Sequence, residues 1–245
     1  MKDWVLVTGA SSGIGREIAI ELSKHCGVVL GGRSEARLAA TAADCVGETC
    51  LWKFDLVETE LLGERLAEFL AEKGIVVTGF VHAAGVSKLA PVNMTRLSDF
   101  ESAFRINCAA AFEIVKTLVS KRGNSAALKS AVFVSSVSAV RGAKGYAAYS
   151  ASKAALNGLM RSLAAELAPK TRVNSVLPGF VKTPMTASVL ANAAVAERLA
   201  ARYPLGLGEP RSVASAVEFL LSDRASWVTG QEFVLDGGAT IDISA

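Results

Sequence analysis

Short β-branched apolar runs alternate along this chain with longer segments in which Ala, Leu and charged residues recur at helical spacing. Residues 4–8, 27–31, 50–54, 77–82, 131–135, 172–177 and 232–235 predict seven strands. Residues 15–24, 35–43, 60–73, 97–120 and 149–167 predict the helices between them. The strands are apolar almost throughout rather than at alternate positions, which suits a mostly parallel sheet covered on both faces. The pattern therefore predicts a doubly wound α/β fold. An Ala-rich stretch at 184–204, carrying Met185, Val189, Leu190 and Leu199, follows a strand end, where ligands bind in such folds. It reads as a helical substrate lid, or else as a helix that completes the core.

At 245 residues the chain can bury a large core as one domain, 1–245. Lys plus Arg number 26 and Asp plus Glu 23, so the net charge of +3 is too small and too dispersed to point to nucleic acid or a membrane surface. Cys26, Cys45, Cys50 and Cys108 lack metal-ligand spacing and form no disulfide framework, which fits a reduced interior and no metal. The N-terminus passes quickly into a strand and a glycine turn, unlike a signal peptide, and no apolar run reaches membrane-spanning length, so a cytoplasmic location is expected.

The chemistry is concentrated at three places. Gly9, Ser11, Ser12, Gly13, Ile14 and Gly15 form a turn between the first strand and helix, where glycines let a pyrophosphate approach the helix N-terminal N–H groups. After the second strand stands Gly31-Gly32-Arg33, with no carboxylate to receive a ribose 2′-hydroxyl. Arg33, with Arg16, offers cations to a 2′-phosphate, which favours NADP(H); the alternative leaves both as surface arginines. Asp55, beside Leu56, either accepts from an adenine amino group or caps a turn. His82 reads as a structural histidine, and Ala83, Ala84 and Gly85 let backbone pass beside the cofactor. Tyr149 and Lys153 stand four apart, on one helix face, thirteen and seventeen residues beyond Ser136. There the lysine would favour the phenolate and make the tyrosine a usable acid or base.

These motifs resemble the short-chain dehydrogenase/reductase family over nearly the whole chain, in its classical branch and closest to 3-oxoacyl-(acyl-carrier-protein) reductases. The resemblance implies a single-domain Rossmann fold and a catalytic tetrad of Asn107, Ser136, Tyr149 and Lys153. Asn107 would anchor a relay water to Lys153, which would also hold the nicotinamide ribose. Pro178, Gly179, Val181 and Thr183 would meet the nicotinamide. Two features depart from the family pattern. In His82-Ala83-Ala84-Gly85, Ala83 takes the place of an Asn that braces the central sheet in relatives, and the 168–173 connection is one residue shorter.

For a substrate, Ser136, Ser138, Val140, Ala143, Tyr146, Tyr149, Phe180, Met185, Val189 and Leu190 are expected to line the approach, a mostly apolar set suited to an acyl chain or hydrophobic ketone. Lys129 and Arg172 are either part of a surface for an acidic carrier protein or ordinary solvated charges. The expected activity is NADPH-dependent reduction of a 3-oxoacyl thioester on carrier protein or coenzyme A, as in fatty acid biosynthesis. The alternatives are a broader carbonyl reductase or alcohol dehydrogenase, and a cofactor-binding regulatory protein with little turnover. By resemblance, helices 97–120 and 149–167 and the 227–238 segment imply a homotetramer, with a dimer left open.

Overall fold

The computed structural model describes residues 3–241. Seven strands, β1 (Trp4–Thr8), β2 (Gly27–Gly32), β3 (Thr49–Lys53), β4 (Val77–His82), β5 (Ser130–Val134), β6 (Arg172–Pro178) and β7 (Glu232–Leu235), form one sheet in the order β3-β2-β1-β4-β5-β6-β7. Every pairing between neighbours is parallel.

The helices are α1 (Gly13–Leu22), α2 (Glu35–Asp44), α3 (Thr59–Lys73), α4 (Leu97–Phe104), α5 (Ala110–Leu118), α6 (Lys121–Asn124), α7 (Ala147–Leu167), α8 (Ala187–Leu190), α9 (Ala193–Ala200) and α10 (Pro210–Leu221). Alternation along each strand divides the core. On β1, Val5 and Val7 face a layer containing Ile18, Leu22, Val213 and Val217, from α1 and α10. Leu6 faces the opposite layer, with Leu62, Leu66, Ile114, Leu118, Leu156 and Met160, from α3, α5 and α7. This is the doubly wound Rossmann fold the pattern predicts.

Two differences from the expected elements bear on function. The 97–120 helix is broken by a π-turn, Arg105–Ala109, between α4 and α5. The 184–204 stretch holds two short helices, α8 and α9, neither with a buried residue, so it does not complete the core. That role falls to α10, packed against α1.

The chain reverses its winding between β1 and β4, where Thr8 pairs with His82. In an open parallel sheet such a switch point leaves a crevice at the carboxyl ends of the strands. The turn after β1 and the segment after β4 meet there. Gly9, with φ of 70°, lies so close to the next segment that a Cβ on it would sit 2.7 Å from the Ala84 nitrogen.

Candidate active site

A cavity of about 310 Å³ lies along this crevice. Its floor is the turn after β1: Gly9, Ser11, Ser12, Gly13, Ile14 and Gly15 all line it. The turn must be this tight, since a Cβ on Gly15 would fall 2.4 Å from the Gly9 carbonyl oxygen. Ser12, the residue before α1, is extended and its side chain caps no N–H group, and no acid occupies the first turn. The helix therefore presents its first amides and the positive end of its dipole to the cavity, which fits a pyrophosphate.

One end of the cavity is lined by Gly32, Arg33, Arg37, Phe54, Asp55 and Leu56. Arg33 is exposed and stands 3.9 Å from an Asp55 carboxylate oxygen. Asp55 Oδ1 accepts from the Val57 N–H at 3.2 Å, so the turn role of this residue is visible in the structure. Arg16 is placed elsewhere: its guanidinium donates to Asp44 at the end of α2, and it does not line the cavity. Arg37, in the first turn of α2, lines it instead, so two cations still flank this end.

The other end holds Ala83, Ala84, Gly85, Val86, Ile106, Val134, Ser135, Ser136, Tyr149, Lys153, Pro178, Gly179, Val181, Thr183 and Met185. Lys153 is 3% exposed, and its Nζ donates to the Val134 carbonyl at 2.7 Å while standing 5.8 Å from the centre of the Tyr149 ring. Burial lowers its pKa to about 8. Burial likewise pushes the Tyr149 phenol up to about 12, opposed by a hydrogen bond from Ser136. In both groups loss of solvent favours the neutral form.

Asn107, fully buried in the π-turn, does not line the cavity. Its Nδ2 donates to the Val86 carbonyl at 3.1 Å and to Ser152 Oγ at 2.9 Å, and its Oδ1 accepts the Val86 N–H at 2.8 Å. It clamps the segment after β4 to α7, one residue from Lys153. His82 also proves to be a brace. Its Nδ1 meets Thr8 Oγ1 and its Nε2 meets the Ile106 carbonyl, both at 3.1 Å, so it ties the glycine turn to the π-turn. These bonds hold the end of β4 next to Ala83. Desolvation, reinforced by the Lys153 charge, lowers the His82 pKa to about 3 and holds it neutral.

Of the expected substrate contacts, Ser136, Tyr149 and Met185 line the cavity, whereas Ser138, Val140, Ala143, Tyr146, Phe180, Val189 and Leu190 do not. Ser138 is turned onto Ser136. The Phe180 N–H donates to the Tyr203 hydroxyl at 2.9 Å, fixing the loop after β6. Lys129 and Arg172 stand at the opposite ends of β5 and β6 from Ser136. Lys129 pairs with Asp3 at 3.6 Å, and the Arg172 guanidinium donates to the carbonyls of Leu220, Leu221 and Ser222. Among the described residues no cluster could hold a metal, and no helix is long and apolar enough to cross a membrane.

Residues 9–240 match the family model described as Enoyl-(Acyl carrier protein) reductase. The chain is 32% identical over 245 residues to 3-oxoacyl-(acyl-carrier-protein) reductase FabG of Thermotoga maritima, covering 96% of this chain and 97% of the relative. It is equally 32% identical, over 248 residues, to L-rhamnose 1-dehydrogenase (NAD(P)(+)) of a Sphingomonas species, covering 98% and 96%. Its fold matches the crystal structure of a short-chain dehydrogenase/reductase, glucose/ribitol dehydrogenase, from Brucella melitensis with a TM-score of 0.87. The two share 33% identity over 98% of this chain and 97% of that one.

Proposed function

Because the chain belongs to the short-chain dehydrogenase/reductase family and is an NADP(H)-dependent oxidoreductase of carbonyl and alcohol substrates, we propose that it reduces an apolar ketone to the secondary alcohol, with Tyr149 as proton donor. The observation that carries this reading is the phenol held protonated at the cavity beside Ser136 and Lys153. When bound, the nicotinamide supplies the hydride.

The residues divide the remaining work. Ser136 donates to the carbonyl oxygen and stabilises charge there as it develops. The Tyr149 hydroxyl gives its proton to that oxygen. Lys153 has one protein acceptor among the described residues, Val134, which leaves ammonium N–H groups for the hydroxyls of the nicotinamide ribose. Asn107 holds the Val86 backbone and Ser152 in register with these groups. The first amides of α1 take the pyrophosphate. Arg33 and Arg37 take the 2′-phosphate, a planar guanidinium fork matching its oxygens. Pro178, Gly179, Val181 and Thr183 border the nicotinamide end. The 184–204 stretch acts as a lid, hinged where Thr186 Oγ1 donates to the Val181 carbonyl at 2.7 Å and where Tyr203 receives Phe180.

A hydrophobic ketone is favoured by Met185, which lines the cavity and is more than half exposed, as are Leu89 and Val140. A 3-oxoacyl thioester is one member of that class, and the similarity to FabG reductases favours it. The similarity to a rhamnose dehydrogenase keeps the class broader. The assembly we propose is a homotetramer: Leu97, Phe100 and Phe104 leave an apolar stripe on the outer face of α4, suited to a second copy.

Initial rates of NADPH oxidation with acetoacetyl thioester and with simple aryl and alkyl ketones test this function. Turnover abolished at least about 1000-fold by Tyr149→Phe, with NADPH binding retained, is the expected result. Turnover surviving in that variant would refute the assignment of the proton donor.

A further inference from the structure

Ser136 precedes the 3-10 turn Val137–Ala139 and is its N-cap. Its Oγ accepts the backbone N–H of Ser138 at 3.2 Å and the hydroxyl of the same Ser138 at 3.0 Å. A hydroxyl oxygen offers two lone pairs and one proton. Both acceptor positions of Ser136 are therefore filled by a single residue, and only its proton remains to be given. Ser138 itself is half-buried and does not line the cavity, so its hydroxyl is directed at Ser136 rather than at a ligand.

We propose that Ser138 is a positioning residue whose hydroxyl commits Ser136 to donating its hydrogen bond to the reacting oxygen, a proposal that rests on the carbonyl-reductase reading of the site. An uncommitted serine can rotate to accept from the Tyr149 hydroxyl, which turns its proton away from the carbonyl. With both lone pairs engaged, that rotation gives up at least one of these hydrogen bonds. A hydroxyl that accepts also becomes a better donor, so the chain from Ser138 through Ser136 polarises the carbonyl more strongly than Ser136 alone. The same donation stabilises the Tyr149 phenolate, which matters when the reaction runs from alcohol to ketone.

Substitution separates the two bonds. Ser138→Ala keeps the backbone N–H and hence the turn, and removes only the hydroxyl. Ser138→Thr restores a hydroxyl, and Ser138→Val places a methyl where threonine has that hydroxyl, so a packing effect falls on both alike. For ketone reduction, Ala and Val should lower kcat by about 3- to 10-fold with KM changed less than about twofold, and Thr should recover most of the loss. For alcohol oxidation the half-maximal pH should move upward in Ala and Val, since a weaker donor leaves Tyr149 harder to deprotonate. The other ionisable groups facing Tyr149 and Lys153 are Tyr146, Cys108 and His82, all untouched by these changes.

Wild-type kcat and pH profile in Ser138→Ala would overturn the proposal. So would equal behaviour of Thr and Val, or an effect confined to KM, which would make Ser138 a substrate contact. Ser136→Ala provides the control: if it is inactive while Ser138→Ala matches wild type, only this proposal fails. If Ser136→Ala keeps full turnover, the reading of the site fails with it.

Discussion

Replacing Lys153 by methionine should abolish turnover and yet make the unliganded protein more stable at neutral pH. The side chain is 3% exposed, with one hydrogen bond of 2.7 Å to the Val134 carbonyl. Its pKa falls from the ordinary 10.5 to about 8, and at 1.36 kcal/mol per unit the fold bears roughly 3 kcal/mol for burying the charge. Methionine keeps the length and loses the charge, but leaves the carbonyl without its ammonium donor, which costs about 1.5 kcal/mol. The net expectation at pH 7 is a gain of about 1–2 kcal/mol.

The sign over pH is the sharper test. Below pH 8 both the folded and unfolded chains hold the proton, so the penalty is fully present. Between pH 8 and 10.5 the unfolded chain binds more protons than the folded one, and wild-type stability rises with pH relative to the variant. The advantage of Lys153→Met should therefore shrink and reverse, by roughly 3 kcal/mol in total, as pH passes from 7.5 to 10.5. Urea unfolding at fixed protomer concentration and several pH values measures the difference directly. A difference that stays constant across this range would refute the claim that a buried ammonium burdens the fold.

Three further outcomes are expected. Arg33→Ala with Arg37→Ala should raise the KM for NADPH about 10- to 100-fold while leaving that for NADH within about twofold, because only the former carries a 2′-phosphate; equal effects on both cofactors in steady-state kinetics would remove this role. His82 titrates near 3 in the fold against 6.5 when free, so the stability it preserves above pH 6.5 is lost as pH falls toward 3. Between pH 7 and pH 5, wild type should lose about 2 kcal/mol more than His82→Gln in parallel urea titrations, and parallel losses would contradict a neutral buried imidazole. Leu97→Glu with Phe104→Glu should reduce the assembly state seen by sedimentation velocity, and unchanged sedimentation would exclude α4 from the contact between copies.

The strands were legible because a parallel sheet buried on both faces writes itself as unbroken apolar runs, and the bounds of β4 and β7 agree to the residue. The glycine turn was legible for a similar reason, since its chemistry is local. What escaped is what depends on partners distant in sequence. Arg16 looks as available as Arg33 until α2 brings Asp44 to it. Arg172 looks solvated until the end of α10 presents three carbonyls to its guanidinium. His82 becomes a brace only through the β1–β4 register that sets Thr8 beside it. The π-turn that carries Asn107 left no periodic trace, because one extra residue in a turn hardly disturbs an apolar helix pattern. Two features did carry unread signals. Pro210 opens α10 at a position proline favours, ahead of Val213, Val217 and Leu220 at helical spacing. Arg37 lies four residues beyond Arg33, on a helix capped by Ser34.

The site joins two requirements that pull against each other. Binding a dinucleotide needs uncapped helix amides and glycines in close contact, while moving a proton needs a phenol and an ammonium sheltered from water. Each is unfavourable for the empty protein, and hydrogen bonds tie the groups around the cavity to strand ends. Lys153 bonds the last residue of β5, Thr8 and His82 bond each other across the ends of β1 and β4, and His82 carries that link to the π-turn. Asn107 then clamps the turn to α7, beside Lys153. The path from the glycine turn to Lys153 thus runs through hydrogen bonds whose positions follow from sheet register. A small shift of β4 against β1 would disturb both halves of the site together, which is why a buried, neutral histidine outside the cavity belongs to the machinery of an enzyme whose chemistry it never touches.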